Sequence, residues 1–132
     1  MIAPEIATRT TWECVHFGTL LEGRREIHLC RDRGFSAIQI DFAGVQQKQE
    51  LLAKIASAMN FPDYFGKNWD ALVDCLRDLS WLSPKGVLLV LENSKELWHQ
   101  PMLAGSLVEV WLLCAEYWAK DGVPFHLGFT WD

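Results

Sequence analysis

The chain has 132 residues, half of them apolar, with seven Trp and seven Phe, and its 12 Lys and Arg are outnumbered by 17 Asp and Glu to give a formal charge of −5. That length suits a single domain with one sizeable core, and the apolar content is more than a disordered chain carries. The negative balance disfavours direct contact with nucleic acid and favours a basic partner, while the lack of any run near the roughly 20 apolar residues that span a bilayer, or of a leader-like segment in residues 1–30, predicts a cytoplasmic protein with no membrane partner.

In chain order, residues 11–17 and 26–31 are expected to pair as a hairpin across a connection from Gly18 to Gly23. Residues 36–42 alternate apolar and polar before Gly44, which predicts a strand with one buried face. From Gln47 to Asn60 the apolar Leu51, Leu52, Ile55, Ala58 and Met59 recur at helical spacing, and Pro62 requires that helix to stop before it. A loop over 61–67 leads to Asn68, a suitable N-cap, and to a helix reaching about Leu79 whose apolar stripe is Trp69, Leu72, Val73, Cys75, Leu76 and Leu79.

Residues 87–91 are apolar throughout and too few for a helix, so they predict a central strand covered on both faces. Asn93 with Glu96 has the spacing of a capping box for a short helix that Pro101 interrupts. A longer helix is predicted over 104–120, closed by Gly122. A last strand alternates Phe125, Leu127, Phe129 and Trp131 against His126, Gly128 and Thr130. The order strand, two helices, strand, two helices, strand predicts an α/β fold, a three-stranded parallel sheet covered by about four helices.

Asp70 and Asp74 are four residues apart and project from one helix ridge. Alone they describe a solvated face, without the cleft and apolar shell that turn paired carboxylates into an acid and a base. Cys14 with His16, or Cys75 with any histidine, lacks a third orienting group, and Gly66-Lys67 lacks the first glycine of a phosphate-binding loop. Cys14, Cys30, Cys75 and Cys114 form no C-x-x-C pair and are read as reduced and inert. His16, His28, His99 and His126 lack ligand spacing and are expected to be ordinary surface or partly packed residues. No catalytic residue, cofactor or metal is predicted.

The string over 61–76, Phe-Pro-Asp-Tyr-Phe-Gly-Lys-Asn-Trp-Asp-Ala-Leu-Val-Asp-Cys-Leu, is more specific. It resembles the barstar family, whose hallmark is a loop with Pro, an acidic residue, two aromatics and Gly, then Asn, a hydrophobic residue, Asp-Ala-Leu, a further residue and Asp-Cys-Leu. The similarity extends through the element order over roughly residues 36–131. Residues 1–35 are then an N-terminal extension, and residues 36–132 a barstar-like domain.

The resemblance implies an intracellular immunity protein that binds a basic ribonuclease-type toxin 1:1 and enters its active site with the helix and the preceding loop. It implies Asp74 in a phosphate position, Asp70 on a second cation, Tyr64 near the base-recognition surface, and Asn68 and Trp69 at the rim. Phe65 and Gly66 belong to the entering loop, Val73 stands where the family frequently has Trp, and Glu116, or else Glu109, supplies a late-helix carboxylate. Lys67 replaces an acidic loop residue, and Arg77 is spaced to pair with Asp74. Two alternatives stand beside this reading: an immunity protein of the same fold against a toxin that is not a ribonuclease, and a protein-binding module outside toxin biology.

Overall fold

The run over 87–91 is central, as its unbroken apolarity requires. In the computed structural model, which describes residues 12–62, 68–82 and 85–132, strand β3 (Val87–Glu92) is buried at every position. It lies between β2 (Ser36–Asp41) and β4 (Phe125–Thr130), and β1 (Val15–Gly18) adds beyond β4, so the parallel sheet has the order β1-β4-β3-β2. Helix α1 (Leu20–Asp32) covers one face with Ile27 and Cys30 against Ala37, Leu88 and Val90. Helices α2 (Lys48–Ala58), α3 (Trp69–Asp78) and α4 (Pro101–Ala119) cover the other, where Leu89, Leu91, Phe125, Leu127 and Phe129 meet Leu52, Ile55, Leu72, Leu76, Leu107 and Trp111.

Two expectations for the N-terminal third are corrected. The sheet has four strands rather than three, and the hairpin is replaced by a strand and a helix: residues 15–18 form β1, and residues 26–31 lie inside α1. Thr19 decides the second point. Its hydroxyl accepts from the Glu22 N–H at 3.1 Å while the Glu22 carboxylate accepts from the Thr19 N–H at 2.9 Å, a complete capping box that starts a helix where a turn was expected. The buried stripe of α1 is Gly23, Glu26, Ile27 and Cys30. Gly23 lets the helix lie directly on the sheet, since a Cβ there would stand 2.7 Å from Thr130 Cγ2.

With α1 and β1 in place, β4 is buried on both faces, so His126 and Thr130 are interior rather than solvent-facing. Pro101 opens α4 as its first residue instead of interrupting a helix, because that position needs no N–H. Residues Glu96–His99 form only a 3₁₀ turn. Asn93 has a positive φ of 57° and donates its side-chain amide to Asp41 at 3.1 Å, tying the ends of β3 and β2 together instead of capping a helix. By length and composition α4 could cross a membrane. Its stripe of Ala104, Leu107, Val110, Trp111, Cys114 and Ala115 is packed into the core, with Trp111 Nε1 donating to the Phe125 carbonyl at 3.1 Å.

Candidate functional site

Helix α3 owes its start to Asn68, whose side-chain oxygen accepts from the Ala71 N–H at 2.7 Å. Its lower face is fixed by Leu72, Cys75 and Leu76, all buried. The end is enforced rather than favoured: Leu79 sits in the left-handed region at φ 40°, where a leucine is held by its burial in the core, by its N–H donating to the Cys75 carbonyl at 3.2 Å and by its carbonyl accepting from the Leu82 N–H at 2.9 Å. The helix is thus pinned at both ends and along one side. Asp70, Asp74 and Asp78 lie exposed on its outer side, with Val73 and Arg77 half-buried beside them.

Helix α4 braces that ridge. Trp118 Nε1 donates to the Leu76 carbonyl at 2.7 Å, and Cys114 Sγ lies 3.9 Å from the Val73 carbonyl. These pairs advance together along both helices, so α3 and α4 run parallel. The Arg77 guanidinium carbon lies 5.4 Å from the centroid of the Tyr117 ring. Burial pushes the Cys114 thiol up to about 12, and Cys14 and Cys30 to about 11, which holds them as inert thiols in accord with the sequence. All four cysteines are buried and free.

The structure brings Asn68, Trp69, Asp70, Val73, Asp74 and Arg77 onto one short helix. Tyr64, Phe65, Gly66 and Lys67 lie outside the described residues. Phe61 meets Trp81 edge-on with ring centroids 6.1 Å apart, and Trp81 Nε1 donates to the Met59 carbonyl at 2.9 Å. Glu116 and Glu109 are both exposed on α4; Glu116 is next to Tyr117 and level with Arg77, and Glu109 lies two turns toward the helix start. Among the described residues no ion pair joins Arg77 to Asp74, although their spacing allows one. The tyrosine face takes the guanidinium instead. Tyr117 was missed because forty residues separate it from Arg77, and its only local signal was an exposed aromatic on an apolar helix.

A family model described as barstar, the barnase inhibitor, matches residues 35–130. The chain belongs to the barstar family. No curated protein matches the chain. The barstar match runs from the start of β2 to the end of β4, so it takes in the three strands and three helices that hold and brace the acidic ridge. Strand β1 and helix α1 are added ahead of it, β1 as an edge strand of the same sheet and α1 packed on its face. The barstar family is one of ribonuclease inhibitors, and the exposed, rigidly mounted ridge of α3 lies within the matched segment.

Proposed function

We propose that the protein is an immunity-type inhibitor that acts in the cytoplasm and blocks a basic ribonuclease-type toxin 1:1 with the ridge of α3 and the loop before it. The observation that carries this reading is the mounting of Asp70 and Asp74, two exposed carboxylates on a helix capped by Asn68, anchored by Leu72, Leu76 and Leu79, and braced by Trp118. A ribonuclease cleft aims cationic and donor groups at an anionic substrate. Carboxylates already fixed at helical spacing can satisfy those groups through charge-assisted bonds, with little further ordering on association. Inhibition of this kind needs no group that moves a proton or attacks a substrate.

The half-buried Arg77 favours one second reading, a toxin of another reaction class that acts on an anionic substrate and presents a mixed-charge cleft. A fluorogenic RNA-cleavage assay separates the two. Barnase and a panel of purified small basic ribonuclease domains are titrated with the protein, and we expect cleavage by at least one of them to stop at equimolar inhibitor, with a 1:1 complex by light scattering. No inhibition across the panel, together with protection of cells from a toxin that leaves RNA intact, would transfer the assignment to the second reading.

A further inference from the structure

Arg77 stands on the ridge three residues after Asp74, about 5 Å further along the helix axis. Among the described residues its guanidinium makes no hydrogen bond and no ion pair, and its Nε is buried without an acceptor. It is not a loose surface cation either. The Tyr117 ring of α4 lies 5.4 Å beneath Cζ, and Tyr117 belongs to the same helical turn as Trp118, whose indole is tied to the Leu76 carbonyl. A stacked, partly desolvated arginine keeps few rotamers, and its planar fork stays ready for a bidentate acceptor.

We propose that Arg77, held by Tyr117, is a partner-selecting cation that receives a carboxylate side chain from the toxin beside the toxin cations that receive Asp70 and Asp74. The inference rests on the inhibitor reading above and deepens it. A partner offering only positive charge along this ridge would leave Arg77 facing cations and dehydrated without an acceptor, which costs affinity on both counts. A partner with an Asp or Glu one helical turn from its Asp74-binding cations meets it with two parallel N–H to oxygen bonds. The ridge therefore reads an alternating charge pattern, and Arg77 excludes clefts that are uniformly basic.

The probe is the ribonuclease domain that the cleavage assay finds inhibited. Calorimetry measures its affinity for the unmodified protein and for Asp74→Ala, Arg77→Ala, Arg77→Glu and Tyr117→Ala, each first checked for an unchanged melting temperature. The same series is run against probe variants in which single Asp or Glu residues lining the cleft are changed to Lys. We expect Arg77→Ala to weaken binding about tenfold and Arg77→Glu about a hundredfold, with a smaller loss for Tyr117→Ala. One cleft Lys variant should bind the unmodified protein poorly and recover at least about tenfold with Arg77→Glu. Unchanged affinity in both Arg77 variants while Asp74→Ala abolishes binding would overturn the role of Arg77 and leave the inhibitor reading standing. Loss of affinity in Arg77→Glu that no cleft variant restores would overturn the carboxylate partner. Unchanged affinity in Asp74→Ala as well would overturn the α3 ridge as the surface that meets the toxin, and this inference with it, while the inhibitor reading itself is decided by the cleavage assay.

Discussion

His16 Nε2 and His126 Nδ1 lie 2.9 Å apart, so a hydrogen bond between two imidazoles ties β1, the strand ahead of the family-matched segment, to β4. The pair works only while one ring donates and the other accepts. Burial, and then the charge of His126, push the His16 imidazole from 6.5 down to about 4. Because the folded value is the lower one, the unfolded chain takes up the proton first. Stability is therefore complete above about pH 6.5 and falls as pH drops toward 4. Urea unfolding should show a loss of about 1 kcal/mol from pH 7 to pH 5, a figure reduced for the part of the ring that solvent reaches. His16→Gln should flatten that slope, and an equal slope in both proteins would remove His16 as its source.

Two glycines in helices should respond to alanine with opposite signs. A Cβ at Gly23 would stand 2.7 Å from Thr130 Cγ2 and 3.2 Å from Val90 Cγ1, both on β-branched side chains of central strands that cannot swing aside. Gly23→Ala should destabilise by about 1–3 kcal/mol through displacement of α1. A Cβ at Gly105 within α4 meets nothing within 4 Å, so Gly105→Ala should stabilise by about 0.5–1 kcal/mol through helix propensity. Thermal unfolding of the two variants checks both signs.

The same two helices mark what could be read from residues alone. The apolar run of β3 and the stripe of α3 were legible because burial on both faces, or on one helical stripe, writes itself directly into residue order. Asp70 and Asp74 were legible as a ridge for the same reason. Helix α1 was not. Its segment carries Glu22, Arg24, Arg25, Glu26, Arg31 and Asp32 around a glycine, and only Ile27 and Cys30 among its buried stripe are apolar side chains of any size. Strand β1 has four residues, too few for alternation to be distinctive. In the site, Arg77 has a local partner in Asp74 by spacing and a distant one in Tyr117, and only packing of α3 on α4 decides between them. Spacing likewise leaves Glu109 and Glu116 equivalent, two turns apart on one face of α4.

The cap of α3 can be tested without any partner. Asn68→Ala removes the acceptor that the Ala71 N–H meets at 2.7 Å and should cost about 1 kcal/mol, whereas Asn68→Asp keeps an oxygen at the cap and should cost little. Denaturant midpoints give the stabilities. Amide exchange at Ala71 reports the cap itself, and unchanged protection there in Asn68→Ala would show that the side chain does not hold this end of the helix.

Asp74 is the residue on which the inhibitor reading depends most. It is exposed in the free protein, so Asp74→Ala should leave folding intact, yet it should weaken the toxin complex by on the order of 3 kcal/mol or more. Part of that loss belongs to toxin cations left without a counter-charge. A second measurement tells charge mimicry from mere shape. With a formal charge of −5 on this chain and a basic toxin, encounter is driven by a field that salt screens over about 10 Å at 0.1 M, so the association rate should fall steeply with added salt. The dissociation rate, set by the close contacts at Asp74 and its neighbours, should change less. An association rate that ignores salt would mean that the acidic ridge is not what brings the two proteins together, whatever affinity Asp74 contributes once they have met.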